Sequence, residues 1–182
     1  MTLIYEPSDD SFLMKGVLEK EIQRLLQENK SIHFLEIGAG SGILLKTARD
    51  IGLKNILGSD INIDAINHCK QLGFKMIESD LFEKIKGLFD IIIFNPPYLP
   101  IQEGEDKESQ LATTGGKDGS EIINKFLKQA KKHLTKNGIV LLLVSSLTKE
   151  INWLDYQKEL VGEKKLFFEK LSIWKLSKSK QF

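Results

Sequence analysis

Residues 90–98 read Asp-Ile-Ile-Ile-Phe-Asn-Pro-Pro-Tyr, and this stretch constrains the chain more than any other. Ile91, Ile92, Ile93 and Phe94 run without a polar break, the pattern of a strand buried on both faces of a parallel sheet. The run ends at Asn95, because Pro96 and Pro97 lack the N–H that a central strand donates. An Asn side chain is thus presented at the carboxyl end of a buried strand, where open α/β sheets form their ligand crevices. Its amide offers one acceptor and two donors, and the Pro96 carbonyl is a further acceptor. Pro97 stiffens the turn and Tyr98 supplies a flat wall. Together they suit a planar amino nitrogen: fixed oxygens take its N–H bonds and the lone pair is left to attack. A Pro-terminated strand with a turn Asn is the plain alternative, since short motifs also arise by chance.

Upstream, a short apolar strand at 32–37 runs into Gly38-Ala39-Gly40-Ser41-Gly42 and then a helical stretch, 43–51. Strand, glycine loop and helix begin a nucleotide-binding unit, because glycine lets backbone approach a ligand and adopt positive φ. The next strand, 55–59, ends at Asp60, about twenty residues after Gly38, the spacing at which a carboxylate accepts bonds from ribose hydroxyls. A helix over 61–72 follows, with Asn62 as its cap, and a third strand over 74–78 leads to Asp80-Leu81. Asp80 fits recognition of an adenine amino group and the neighbouring backbone N–H a ring nitrogen; ordinary turn chemistry is the competing account. The glycine spacing alone does not separate a nicotinamide dehydrogenase from an S-adenosylmethionine enzyme. Ile43 stands where the third dinucleotide glycine belongs, and Glu36 repels phosphate but suits the ammonium of a methionine moiety. The Asn-Pro-Pro-Tyr turn, which has no task in hydride transfer, shifts the balance to the sulfonium cofactor.

These motifs, in this order, resemble the class I S-adenosylmethionine methyltransferases that modify planar amino nitrogens. Tyr5-Glu6-Pro7-Ser8-Asp9-Asp10-Ser11-Phe12 and Gly115-Gly116-Lys117-Asp118-Gly119 are similar, more narrowly, to the HemK-like glutamine methyltransferases. Ser11 stands where relatives usually carry Thr, which keeps the hydroxyl. Little chain precedes the first strand, so the resemblance is to the short archaeal and eukaryotic branch. It implies a Rossmann-like α/β fold, a mostly parallel seven-stranded sheet with helices on both faces. It also implies S-adenosylmethionine as cofactor, held by Ser11, Glu36, Gly38, Gly40, Asp60, Asp80, Leu81 and Asn95. Catalysis would rest on Asn95, Pro96 and Tyr98, and acceptor binding on Asn95, Pro97 and Tyr98. The implied reaction is methylation of the glutamine amide in the Gly-Gly-Gln tripeptide of a class I translation release factor. A small zinc-binding activator would pair with the sheet edge at 74–78 to give a heterodimer.

The rest of the chain sets bounds. With 182 residues, a single domain over 1–182 is expected, comprising an N-terminal helical segment at 1–30 and a basic tail at 175–182. The formal net charge of +1 gives no global field for nucleic acid or an anionic membrane. Cys69 is the single cysteine, which leaves no intrachain disulfide and no Cys-based metal site, and no metal is assigned. No apolar run approaches a membrane span, and a cytoplasmic protein is expected. A helix capped by Ser8, with Asp9 and Asp10 in its first turn, should run to about Asn29; Asp10 and Ser11 are held open for ligand contact. The acidic, aperiodic stretch 99–114 fits a cover over the substrate pocket, or a solvated charge run. Asp118 and Glu121 form a variant capping box for a helix to about Leu134, and Asn137-Gly138 a turn before a strand at 139–144. Beyond 146 we expect a helix near 149–155, strands near 158–162 and 171–176, and Trp153, Trp174, Phe167 and Phe168 in the core. Two rival functions remain: an adenine-N6 nucleic-acid methyltransferase, against which stand the near-neutral charge and the lack of a basic, aromatic face, and a non-catalytic cofactor-binding subunit.

Overall fold

The computed structural model describes residues 4, 6–28, 31–99 and 116–179. Tyr5, Gly115, most of the proposed cover and the last residues of the basic tail lie outside them.

The chain opens with α1 (Asp9–Leu26), then alternates β1 (His33–Ile37), α2 (Ile43–Asp50), β2 (Asn55–Asp60), α3 (Ile63–Gln71) and β3 (Lys75–Glu78). β4 (Phe89–Phe94), α4 (Glu121–Ala130), a 3-10 turn at Lys131–His133, β5 (Leu134–Ser145), β6 (Tyr156–Lys165) and β7 (Lys170–Lys178) complete it. The strands form one seven-stranded sheet in the order β3-β2-β1-β4-β5-β7-β6. β1 to β5 are parallel and β7 is antiparallel to both β5 and β6.

β4 is central, and its residues alternate between two cores as a strand's must. Ile91 and Ile93 face Met14, Leu18 and Ile22 of α1 and Leu45 of α2; Ile92 and Phe94 face Ile123, Phe126 and Leu127 of α4. All three isoleucines are fully buried, so helices cover both faces as expected. Asn62 does cap α3, accepting from the Asp64 N–H at 2.9 Å. Ser8 occupies the N-cap position of α1 but makes no side-chain cap bond.

Several expectations fail for physical reasons. The expected capping-box bond forms, Glu121 Oε1 accepting from the Asp118 N–H at 3.2 Å, but α4 begins after Ser120, so Asp118 is not its N-cap. The Asn137-Gly138 pair lies inside β5: Leu134 pairs with Phe89 and Ile139 with Ile91, so β5 bulges outward between them. Residues 149–155 form no helix. The Asn124 side chain donates to the Glu150 carbonyl at 3.2 Å and accepts from the Asn152 N–H at 2.8 Å, and Glu150 and Leu154 take positive φ. The backbone groups that a helix would pair with one another are spent on α4. Trp153 and Trp174 are half-buried against the α4 face, but Phe167 and Phe168, expected in the core, are 93% and 85% exposed at the β6–β7 turn.

Candidate active site

Parallel strands bring their carboxyl ends to one edge, so residues scattered from 36 to 98 converge there. A cavity of about 470 Å³ opens on this edge. Its walls include every sequence-nominated site residue: Ser11, Glu36, Gly38, Gly40, Asp60, Asp80, Leu81, Asn95, Pro96, Pro97 and Tyr98. The cavity sits over β1 and β4, where the strand order reverses direction.

The glycine loop is tied down at both ends. The Ala39 N–H donates to the Ser59 carbonyl at 3.0 Å and the Gly40 N–H to Asp60 Oδ2 at 2.9 Å. Gly38 and Gly40 take left-handed backbone, φ 69° and 49°, which turns the chain sharply off β1 without a Cβ facing the cavity. Asp60 Oδ1 accepts from the Asn62 N–H at 2.9 Å. Each carboxylate oxygen keeps a further lone pair for a hydroxyl donor.

Glu36 lies beneath this loop with only 3% of its surface exposed. Burial, and secondarily the Asp60 charge, push its carboxyl well above the usual carboxylate range. Its Oε2 is buried with no hydrogen-bond partner among the described residues. A buried carboxylate without a partner is costly, and a cation in the cavity would relieve that cost. Cys69, under the same loop, is pushed up to about 12 by burial and by Glu36 and Asp60, so its thiol stays protonated.

Leu81 is buried yet has φ 49°, a backbone outlier for a non-glycine residue right after Asp80. Asp80 Oδ2 is engaged by Lys125 Nζ at 2.5 Å, and that hydrogen bond raises the Lys125 ammonium. Sequence reasoning did not anticipate Lys125, which lies far along the chain with nothing local to mark it.

At the other wall, Asn95 Nδ2 donates to Asp10 Oδ2 at 3.1 Å, across 85 residues of chain. A carboxylate accepts only, so the contact fixes which way the amide points. Asn95 Oδ1 is then left buried, without a hydrogen-bond partner among the described residues. Asp10 is itself 3% exposed and is held through Oδ1 by the Ser11 N–H at 2.5 Å and the Ser11 hydroxyl at 3.2 Å. The Asp-Asp-Ser segment had marked Asp10 for ligand contact; the structure shows its carboxylate bonded to Asn95. Thr148 Oγ1 donates to the Tyr98 carbonyl at 3.0 Å, anchoring the Pro-Pro turn to the segment after β5.

Among the described residues no helix is long and apolar enough to cross a membrane, and no cluster of His, Cys, Asp and Glu suits a metal ion.

Residues 21–164 match the family model described as methyltransferase small domain. A Methanocaldococcus jannaschii protein named for N5-glutamine methyltransferase activity is 38% identical over 95% of this chain and 92% of its own. The catalytic subunit of the eRF1 methyltransferase of Schizosaccharomyces pombe is 31% identical over 80% of this chain and 74% of its own. Among solved structures, the E. cuniculi Mtq2–Trm112 complex, described as responsible for methylating the eRF1 termination factor, aligns with TM-score 0.76 at 25% identity. That alignment covers 96% of this chain and 98% of the other.

Proposed function

The chain belongs to the methyltransferase small domain family, and from that premise we propose that it methylates the side-chain amide nitrogen of glutamine in the Gly-Gly-Gln motif of a class I peptide chain release factor. The names of its relatives support the substrate class. The observation that carries the reading is Asn95 Oδ1: a buried acceptor at the carboxyl end of β4, without a partner among the described residues, with Pro96 next to it in the cavity wall. Two fixed acceptors match the two N–H bonds of one primary amide.

The residues present also fit S-adenosylmethionine. Glu36 would take the methionine ammonium, Gly38 and Gly40 would let backbone approach, and Asp60 would bind the ribose hydroxyls. Asp80 would bind the adenine amino group with Oδ1, the oxygen opposite the Lys125 contact, and the Leu81 N–H a ring nitrogen, while Ser11 and Asn95 close the methyl-bearing end. When bound, this cofactor supplies a methyl group already activated on a positively charged sulfur.

An amide nitrogen is a poor nucleophile because its lone pair is delocalised. Asn95 Oδ1 and the Pro96 carbonyl would hold both amide hydrogens, bring the lone pair toward the methyl and stabilise the positive charge that grows on nitrogen. As the N–CH3 bond formed and the C–S bond broke, one of those protons would be released to water. Pro97 keeps the turn rigid and Tyr98 stacks on the amide plane. Catalysis is then positioning plus preorganised dipoles, and no side chain is assigned as a general base.

We also propose an activator subunit, small and zinc-binding, at the β3 edge, and a cytoplasmic site of action. β3 is the terminal strand of the sheet on that side, and its Met76 and Ile77 are half-buried. A partner strand would cover them. Tm and solubility should rise when the two are coexpressed; an isolated chain that is already monomeric, soluble and fully active would refute the need.

The test is transfer of radiolabelled methyl from S-adenosylmethionine, with the activator present, to a release factor and to its Gln→Ala variant, with RNA and DNA alongside. Label on the factor that disappears with the glutamine supports the reading. Label on nucleic acid overturns it while keeping the Asn95 chemistry.

A further inference from the structure

Four residues, Leu166 to Glu169, join β6 to β7, and Phe167 and Phe168 form the tip of this turn. Soluble surfaces rarely place two adjacent aromatics in water, yet these are almost wholly exposed and pack edge-to-face, ring centroids 4.8 Å apart.

The turn is held firmly. The Leu166 N–H donates to the Glu169 carbonyl at 2.8 Å, and Leu166 packs on the core. Glu169 accepts from the Ser145 hydroxyl, and the Lys170 N–H donates to Ser146 Oγ at 2.9 Å. The rings are thus presented from an anchored base.

Its place in the fold is informative. β7 runs against β5, so this turn stands at the sheet edge that carries Asn95. Leu171 pairs with Ser145, while Phe94 pairs with Leu142. Two strand spacings across and three residues up put Leu171 about 14 Å from the end of β4, with the Phe pair three to four residues beyond it. Lys164 Nζ joins the hairpin to Asp9 at 2.8 Å, and the next residue, Asp10, holds Asn95. The aromatic pair and the acceptor pocket therefore lie at the same edge of the sheet.

We propose that the Phe167–Phe168 turn is a docking knob for the protein that carries the acceptor glutamine, gripping an apolar patch on that protein beside the target loop. This rests on the reading above that the acceptor is a protein side chain. Charge supports an apolar contact: Lys164 and Lys170 are neutralised by Asp9 and Glu163, and Glu169 is bonded to Ser145. Of the flanking charged residues only Lys165 has no such partner among those described. A glutamine side chain is short, so the acceptor's own surface must rest on this edge when the amide reaches Asn95.

The test compares the wild type with F167S/F168S and F167L/F168L, using the intact release factor and a short Gly-Gly-Gln peptide as acceptors. For the Ser pair we expect KM for the factor to rise about tenfold, with kcat within about twofold, and unchanged kinetics on the peptide. The Leu pair, which keeps an apolar knob, should restore most of the affinity. Unchanged KM for the factor overturns the proposal, as does an equal loss on both acceptors. Binding of the wild type, but not the Ser pair, to anionic vesicles with factor kinetics unchanged would assign the knob to a membrane instead. With the activator subunit coexpressed, failure of the wild type to label the factor at all marks failure of the underlying reading.

Discussion

Asn95 and Glu36 each leave one buried oxygen without a partner among the described residues, and these two atoms define what the site demands of its ligands. Asn95→Ala should abolish turnover while leaving cofactor affinity within a few-fold, measured by methyl transfer and calorimetry. Asp10 acts through Asn95. Losing a hydrogen bond to a charged group costs about 1.5–3 kcal/mol, so Asp10→Ala should lower kcat by roughly ten- to a hundredfold. Acceptor KM should move little, and Asp10→Asn, which keeps an acceptor oxygen, should recover part of the rate. Glu36 carries a pH signature. Its carboxyl is raised above the ordinary 4.5, so the folded chain binds a proton that the unfolded chain has released. The associated stability is fully present below pH 4.5 and is lost as pH rises through the raised value. Thermal melts of the ligand-free protein should show Glu36→Gln flattening that decline and raising Tm at neutral pH, while cofactor affinity collapses.

At the scale of elements, β4 does most to hold the site, because its alternate residues pack both layers and its end delivers Asn95. Truncating fully buried Ile93 to Ala should cost about 2–5 kcal/mol in denaturant melts, against well under 1 kcal/mol for the exposed Ile63 on α3. β4 was legible because both its faces are covered, which makes its burial continuous in sequence. So were α2 and α3, bounded by the glycine loop and by the Asn62 cap. The segment 149–155 was not legible. Its backbone is captured by the Asn124 side chain of α4, and such a contact leaves no periodic trace. Nor was the bulge in β5, where a turn dipeptide was absorbed into a longer ladder.

For the whole molecule, a formal net charge of +1 predicts that methyl transfer to a protein acceptor changes less than about threefold between 50 and 200 mM salt. A drop of orders of magnitude, with matching retention on RNA, would point to a nucleic-acid substrate. Three strand ends in the sequence already carried their acids and glycines at telling spacings, and an apolar run followed by two prolines already announced a crevice. These are local facts: strand burial, backbone freedom and missing N–H groups are written residue by residue. Tertiary structure alone decided that Asp10 bonds Asn95, that Lys125 bonds Asp80 and that Phe167 and Phe168 stand in water at the β6–β7 turn. Each depends on which elements the sheet order brings side by side, and pairings between residues tens of positions apart have no local energy that a linear pattern can express.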